Sequence, residues 1–272
     1  MDNLNKINLF SKRHLGSSES DTSYMLREIG YDSMSAFIDS VVPSTILKRN
    51  KVDIGEERSE QDVLDELRTI ASKNKVLKSY IGQGHYNNFT PKVILRNVFE
   101  NPGWYTSYTP YQPEISQGRL EALINFQTMV SDLTGMDLSN ASLLDEATAA
   151  AEAMTLAKRS AKSKSNVFFV DENSFENTIN VLKTRAGPLG IDLVISNPKD
   201  IKNHEIFGAY LQYPGSNGKI KDFTDCIKSC HEQSALAVLG TDLLALTLLK
   251  PPGEMGADIV VGSSQRFGVP LG

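Results

Sequence analysis

Asp242 follows the short apolar run Leu236–Leu239. If that run is a strand of a parallel sheet, the carboxylate sits at its carboxyl end, where open α/β sheets bind ligands. A carboxylate there can pair with the ring nitrogen of a pyridoxal cofactor, or serve as a helix N-cap or loop acceptor. A pyridoxal site also needs a lysine for the imine, a couple of dozen residues further on and after another strand. The matching stretch is Ser263-Ser264-Gln265-Arg266-Phe267. A glutamine amide forms no imine, and an arginine stays protonated and is a poor nucleophile. Lys250 comes too early and stands next to Pro251-Pro252. The pattern is that of a pyridoxal site without its hook.

A second region has the density of a site. Pro102, Gly103, Pro110, Pro113 and Gly118 break the chain, while Trp104, Tyr105, Tyr108 and Tyr111 crowd it with aromatics. An irregular segment this rich in large side chains either packs against something or lines a pocket.

Other chemistries are excluded by what is missing. There is no G-x-x-x-x-G-K-[ST], no strand followed by G-x-G-x-x-G, no G-x-S-x-G and no H-E-x-x-H. Cys226, Cys230 and His231 lie close in sequence, but a structural zinc would need a fourth ligand and no second Cys/His cluster exists. The two cysteines read as half-buried thiols on one helix face. A net charge of −5 argues against a general nucleic-acid binder. No apolar run approaches the roughly 20 residues that span a bilayer. The N-terminus has basic residues but no apolar core of a signal peptide, so the expected location is the cytoplasm. With 40% hydrophobic and 22% charged residues in 272, the chain has material for a real core.

The elements that must position these residues can be read from periodicity. Ser18 with Asp21 has the form of a capping box, and Gly30 is a helix stop. A second short helix runs from after Ser33 to before Pro43. A charged connector, 48–62, closes an N-terminal segment of 1–62. The α/β domain is expected over 63–272. Val63, Leu64, Leu67, Ile70 and Ala71 predict a helix with one buried stripe. Thr90-Pro91 predicts an N-cap and first helical position, with the helix ending by Asn101-Pro102-Gly103. A long helix is expected near 119–134, stopped by Gly135, and an alanine-rich one from about Asp145 to Lys162. Strands are then expected at 167–170, 191–195, 206–212, 236–239 and 258–261, with helices at 175–185 and 222–233. This alternation predicts a mostly parallel sheet with helices on both faces. The chain stops straight after a strand, with no closing helix, as a fragment would.

Long strings now point to a family. N-P-G-W-Y-T-S-Y-T-P-Y-Q-P-E-I-S-Q-G-R-L-E-A-L from Asn101, D-L-S-N-A-S-L-L-D-E-A-T-A-A-A-E-A-M from Asp137, P-P-G-E-M-G-A-D from Pro251 and G-S-S-Q-R-F-G-V-P from Gly262 resemble the glycine decarboxylases, the P-proteins of the glycine cleavage system. The similarity runs from Arg13-His14-Leu15-Gly16 onward and is closer to the long, two-half form than to the split subunit.

The resemblance implies a pyridoxal-phosphate-dependent transferase fold of the aspartate-aminotransferase type. It implies decarboxylation of glycine and transfer of the aminomethyl group to the lipoyl arm of the H-protein. The chain would be the N-terminal half, truncated. The Schiff-base lysine and the pyridoxal 5'-phosphate then belong to the C-terminal half of the same enzyme. Asp242, Gln265 and Arg266 become degenerate cofactor positions here. Asp145-Glu146 stands where the other half has a small-residue phosphate cradle, and acidic side chains there would repel phosphate. Tyr108, Thr109, Tyr111, Gln112 and Glu114 are expected to border the glycine or lipoyl pocket of the other half. A homodimer of the full chain and a cytoplasmic location, mitochondrial in a eukaryote, complete the expectation. The fragment alone would be inactive. The alternative is a stand-alone, non-catalytic scaffold or regulatory relative.

Overall fold

The computed structural model describes residues 14, 16–50, 52–56, 58–105 and 111–270. The chain divides into two compact units, Met1–Lys78 and Ser79–Gly272.

In the first unit, α1 (Glu19–Glu28) opens on a capping box. The Asp21 amide donates to Ser18 Oγ at 3.2 Å, and the Ser18 amide donates to Asp21 Oδ2 at 3.1 Å. It closes through Gly30 at φ +81°, a left-handed turn in which the Tyr31 amide reaches back to the Leu26 carbonyl. The helix α2 (Met34–Val41) is capped by Ser33, whose Oγ accepts from the Ala36 amide at 3.1 Å. The helix α3 (Glu60–Ala71) begins inside the expected connector, because Ser59 and Asp62 form a second capping box. Its apolar stripe was expected to be buried; Val63, Leu64, Leu67 and Ile70 are instead exposed. Amphipathic spacing specifies a face, while burial needs a partner surface. Among the described residues of this unit the one buried hydrophobic is Leu26.

The second unit starts with irregular chain. Pro91 takes the N-cap position of the short helix Lys92–Ile94, which widens into a π-helical stretch, Leu95–Phe99. Thr90 is therefore not the cap expected from the sequence. Its hydroxyl donates to the Gly268 carbonyl at 2.6 Å. One further turn, Pro102–Tyr105, precedes α4 (Pro113–Thr134). This helix starts six residues earlier than its apolar pattern suggests, with Pro113 at its first position, and is kinked at Ser116. Gly135, at φ +70°, ends it as expected.

From α5 (Glu146–Ser160) onward the expected alternation is found: β1 (Val167–Asp171), α6 (Glu176–Ala186), β2 (Asp192–Ser196), β3 (Gly208–Tyr213), α7 (Thr224–Glu232), β4 (Leu236–Asp242) and β5 (Ile259–Ser263). The sheet order is β2-β1-β3-β4-β5, and every pairing is parallel. Successive side chains of a strand face opposite sides, so the sheet organises two cores. Phe168, Tyr210 and Val238 meet Met154 of α5 and Leu182 of α6 on one side. Phe169, Leu211 and Leu239 meet Ile227 and Cys230 of α7 on the other. Burial of these side chains is the main favourable term in the unit's folding. Gly240 in β4 has a steric reason: a side chain there would collide with the buried Tyr210 hydroxyl.

Candidate functional site

The carboxyl ends of β3, β4 and β5 meet the N-terminus of α5 in a narrow crevice. Glu146, Gln212, Thr241, Asp242, Ser263 and Gln265 line it, with Gly84, Tyr86 and Phe175 closing it. Each arrives there for a local reason. Asp242 is the last residue of β4. Glu146 is the first residue of α5, which Asp145 and Thr148 cap reciprocally. Gln265 and Arg266 sit in the single 3-10 turn, Ser264–Phe267, that follows β5.

Asp242 and Arg266 are brought together. Arg266 donates from Nε to Oδ1 and Oδ2 at 3.0 and 3.1 Å, and from Nη2 to Oδ2 at 2.8 Å. Both side chains are mostly buried, at 17% and 25% exposure, so the pair is much less screened than a surface bridge. The same guanidinium lies 4.2 Å from the centre of the Tyr86 ring, a cation–π stack. Asp242 also accepts the Leu244 amide at 3.1 Å. Gln265 donates to the Gly84 carbonyl at 2.7 Å and accepts from Asn88 at 3.3 Å.

Behind this pair lies a polar chain. Tyr210 donates to Gln212 Oε1 at 2.9 Å, and Gln212 donates to the Gly240 carbonyl at 3.3 Å. Gln212 also hydrogen-bonds the Glu146 carboxyl. Burial pushes the Glu146 carboxyl up to about 7, against that hydrogen bond and helped by the neighbouring charges of Asp242 and Asp145. Burial likewise raises the Tyr210 phenol well above its ordinary value, so it stays a donor.

Pyridoxal phosphate does not fit this crevice. Its free volume is about 20 Å³, room for roughly one water, whereas small-molecule sites are several hundred Å³. Arg266 cannot form an imine and already occupies the Asp242 carboxylate. Glu146 stands at the helix start, where a phosphate would need amides free of negative charge. No lysine is among the lining residues.

Tyr111, Gln112 and Glu114 are not among the residues that line the crevice. Tyr108 and Thr109 fall outside the described residues. Tyr111 is 87% exposed. Gln112 is the N-cap of α4, with no side-chain capping bond, and Glu114 is exposed in its first turn. The Trp104 carbonyl accepts from Arg119 at 3.1 Å. Tyr86, Phe175 and Gln212 were not singled out from the sequence. Tyr86 lies 180 residues from Arg266, and no local pattern links them.

A wider apolar groove of about 670 Å³ runs along the outer edge of β5, with Phe126, Val130, Leu143, Leu156 and Val260 among its walls. Among the described residues no group of three His, Cys, Asp or Glu could hold a metal, and no helix is long and apolar enough to cross a membrane.

An open parallel sheet covered by helices on both faces, with a crevice at its carboxyl edge, defines the class as an α/β protein, and the likeness to a solved glycine decarboxylase given below makes its fold the pyridoxal-phosphate-dependent transferase fold of the aspartate-aminotransferase type. The family described as glycine cleavage system P-protein matches residues 12–272, and the chain belongs to that family. The glycine dehydrogenase (decarboxylating) of Agrobacterium fabrum (strain C58) is 57% identical over 263 residues, 96% of this chain and 28% of that protein. The protein of the same name from Aliivibrio fischeri (strain MJ11) is 56% identical over 265 residues, again 28% of its length. A crystal structure of glycine decarboxylase (P-protein) of the glycine cleavage system, in inhibitor-bound form, matches with a TM-score of 0.84 at 32% identity. It covers 95% of this chain and 60% of that one. The chain thus spans little more than a quarter of the curated relatives it matches.

Proposed function

We propose that this chain is the N-terminal part of a glycine decarboxylase and that it works as the non-covalent partner of a second half. The observation that carries the reading is the crevice: its fold position is that of a cofactor site, it is narrow, and its Asp242 carboxylate is taken by Arg266 of the same chain. The second half supplies the lysine and holds pyridoxal 5'-phosphate, which takes up the electrons released when glycine loses carbon dioxide. The aminomethyl group then passes to the lipoyl arm of the H-protein. The full chain acts as a homodimer in the cytoplasm. The natural domain division follows α3 and not residue 62, because a boundary at 62 would cut that helix; the helical N-terminal segment then reaches to Lys78 and the α/β domain follows it.

The contribution of this chain is a wall. Tyr108, Thr109, Tyr111, Gln112 and Glu114 border the glycine or lipoyl pocket. Tyrosine hydroxyls and an amide orient a small zwitterion, and the Glu114 carboxylate attracts an ammonium. These groups bind and orient, and no proton or covalent step is assigned to them. The test is glycine-dependent release of carbon dioxide by the intact protein with a lipoylated carrier. Activity is expected in the unaltered protein. Tyr111→Phe combined with Glu114→Gln is expected to raise KM for glycine several-fold. An inactive intact protein refutes the decarboxylase reading, and an unchanged KM refutes the pocket assignment.

A further inference from the structure

The segment that carries Arg266 also ties distant parts of the chain together. Residues 263–269 reach across to residues 84–90 at five points. Gln265 donates to the Gly84 carbonyl at 2.7 Å, Asn88 donates to Gln265 Oε1 at 3.3 Å and to the Val269 carbonyl at 3.4 Å, and Thr90 donates to the Gly268 carbonyl at 2.6 Å. The fifth is the Arg266 guanidinium on the Tyr86 ring. The sheet end of that stack is fixed, because Arg266 is held by two of its nitrogens on Asp242, at the tip of β4. A bidentate guanidinium is a rigid fork, which an ammonium cannot reproduce.

The held segment has a backbone that needs holding. Gly82, Gln83 and Gly84 are all left-handed, at φ +64°, +57° and +82°. For Gln83 that conformation is costly and persists only where surroundings impose it. Its side chain is tied to the Ser216 carbonyl at 3.3 Å. At Gly84 a Cβ would come within 3.0 Å of the Phe175 ring, so the turn is packed as well as bonded.

We propose that Arg266, with Asp242, Tyr86 and Gln265, is a latch that positions the 82–91 segment over the carboxyl edge of the sheet. The latch uses the carboxylate at the position of a cofactor site for an intramolecular anchor. The anchored segment leads directly into 92–105 and on to Tyr111–Glu114. If the reading above holds, the latch therefore sets where the pocket-bordering stretch enters the other half's site. Arg266 and Asp242 are positioning residues in this scheme and touch no substrate.

The test uses the intact protein with Arg266→Met, and with the milder Asp242→Asn and Arg266→Lys in case the first fails to fold. The rate of limited chymotryptic cleavage after Tyr86 and Phe89 is followed against that after the buried Tyr210 of β3 as an internal reference, and KM and kcat for glycine are measured in parallel. The expected result is at least ten-fold faster cleavage after Tyr86 and Phe89, with none after Tyr210, in Arg266→Met and Asp242→Asn. Arg266→Lys should recover less than half of the resistance, since it keeps charge and loses the fork. KM for glycine should rise several-fold at near-normal kcat. Unchanged cleavage after Tyr86 and Phe89 overturns the latch. Faster cleavage with an unchanged KM overturns the positioning role. If the unaltered protein itself releases no carbon dioxide from glycine, the functional reading fails, and the cleavage rates still decide the latch.

Discussion

The crevice at the carboxyl edge of the sheet and the helix α3 are opposite ways of using side chains. In the crevice, charged and polar groups that would be costly to bury are paired inside the chain: Arg266 with Asp242 and Tyr86, Gln265 with Gly84 and Asn88, Gln212 with Tyr210 and Gly240. On α3, apolar groups that would gain by burial stand in solvent, with Leu67 at 55% and Ile70 at 51% exposure. Tyr111, 87% exposed, belongs with α3 in this respect. The difference teaches where this chain is complete. Its would-be ligand site is paired from within except at the Thr241 hydroxyl, which is buried without a partner, while its exposed aromatic and aliphatic groups have no cover, which is the distribution expected of a wall for another site.

Stability measurements can break that comparison. The largest effect is expected at the sheet. Phe169→Ala removes a fully buried ring between β1 and the second core and should cost about 3–5 kcal/mol in denaturant unfolding. A loss under ~1 kcal/mol would mean that the sheet is not the stabilising core.

The next effect is a pH dependence from Glu146. Its folded value is raised from 4.5 to about 7, so the folded protein holds a proton that the unfolded chain releases. The stabilising contribution is whole below about pH 4.5. It is lost as pH rises toward about 7 and stays lost above, a span of up to about 3 kcal/mol. Glu146→Gln should remove this slope and leave the variant more stable than the unaltered protein at pH 8. Parallel pH profiles for the two would sink the assignment.

Smaller effects sharpen the other side. Ser33→Ala, which removes the cap of α2, should cost about 1 kcal/mol. Leu67→Ala should change stability by no more than ~0.5 kcal/mol in the chain alone, as for an exposed site. A loss comparable to that of Phe169→Ala would show that α3 is packed in solution.

Much of this architecture is legible in the residues because its causes are local. Short apolar runs alternating with helical segments point to all five strands. Ser18, Ser33 and Gly135 mark helix ends through the groups they cap or the φ they permit. The lack of a lysine at 263–267 is legible directly, and Gln265 and Arg266 cannot do what a lysine does. What Arg266 does instead was not readable. Its carboxylate partner is 24 residues away and its ring partner 180, and only the sheet brings them together. The burial of α3 was misjudged for the same reason, because a helical stripe says nothing about what faces it. Thr90 looked like a cap and became a tie to Gly268, a contact across 178 residues.

The most direct measurement is borohydride reduction of the intact protein with pyridoxal phosphate bound, followed by peptide mapping. The reduced pyridoxyl group is expected on a lysine outside residues 1–272, with none on this chain. A stoichiometric adduct on a lysine within these residues would contradict the claim that Arg266 and Asp242 have closed this half to the cofactor.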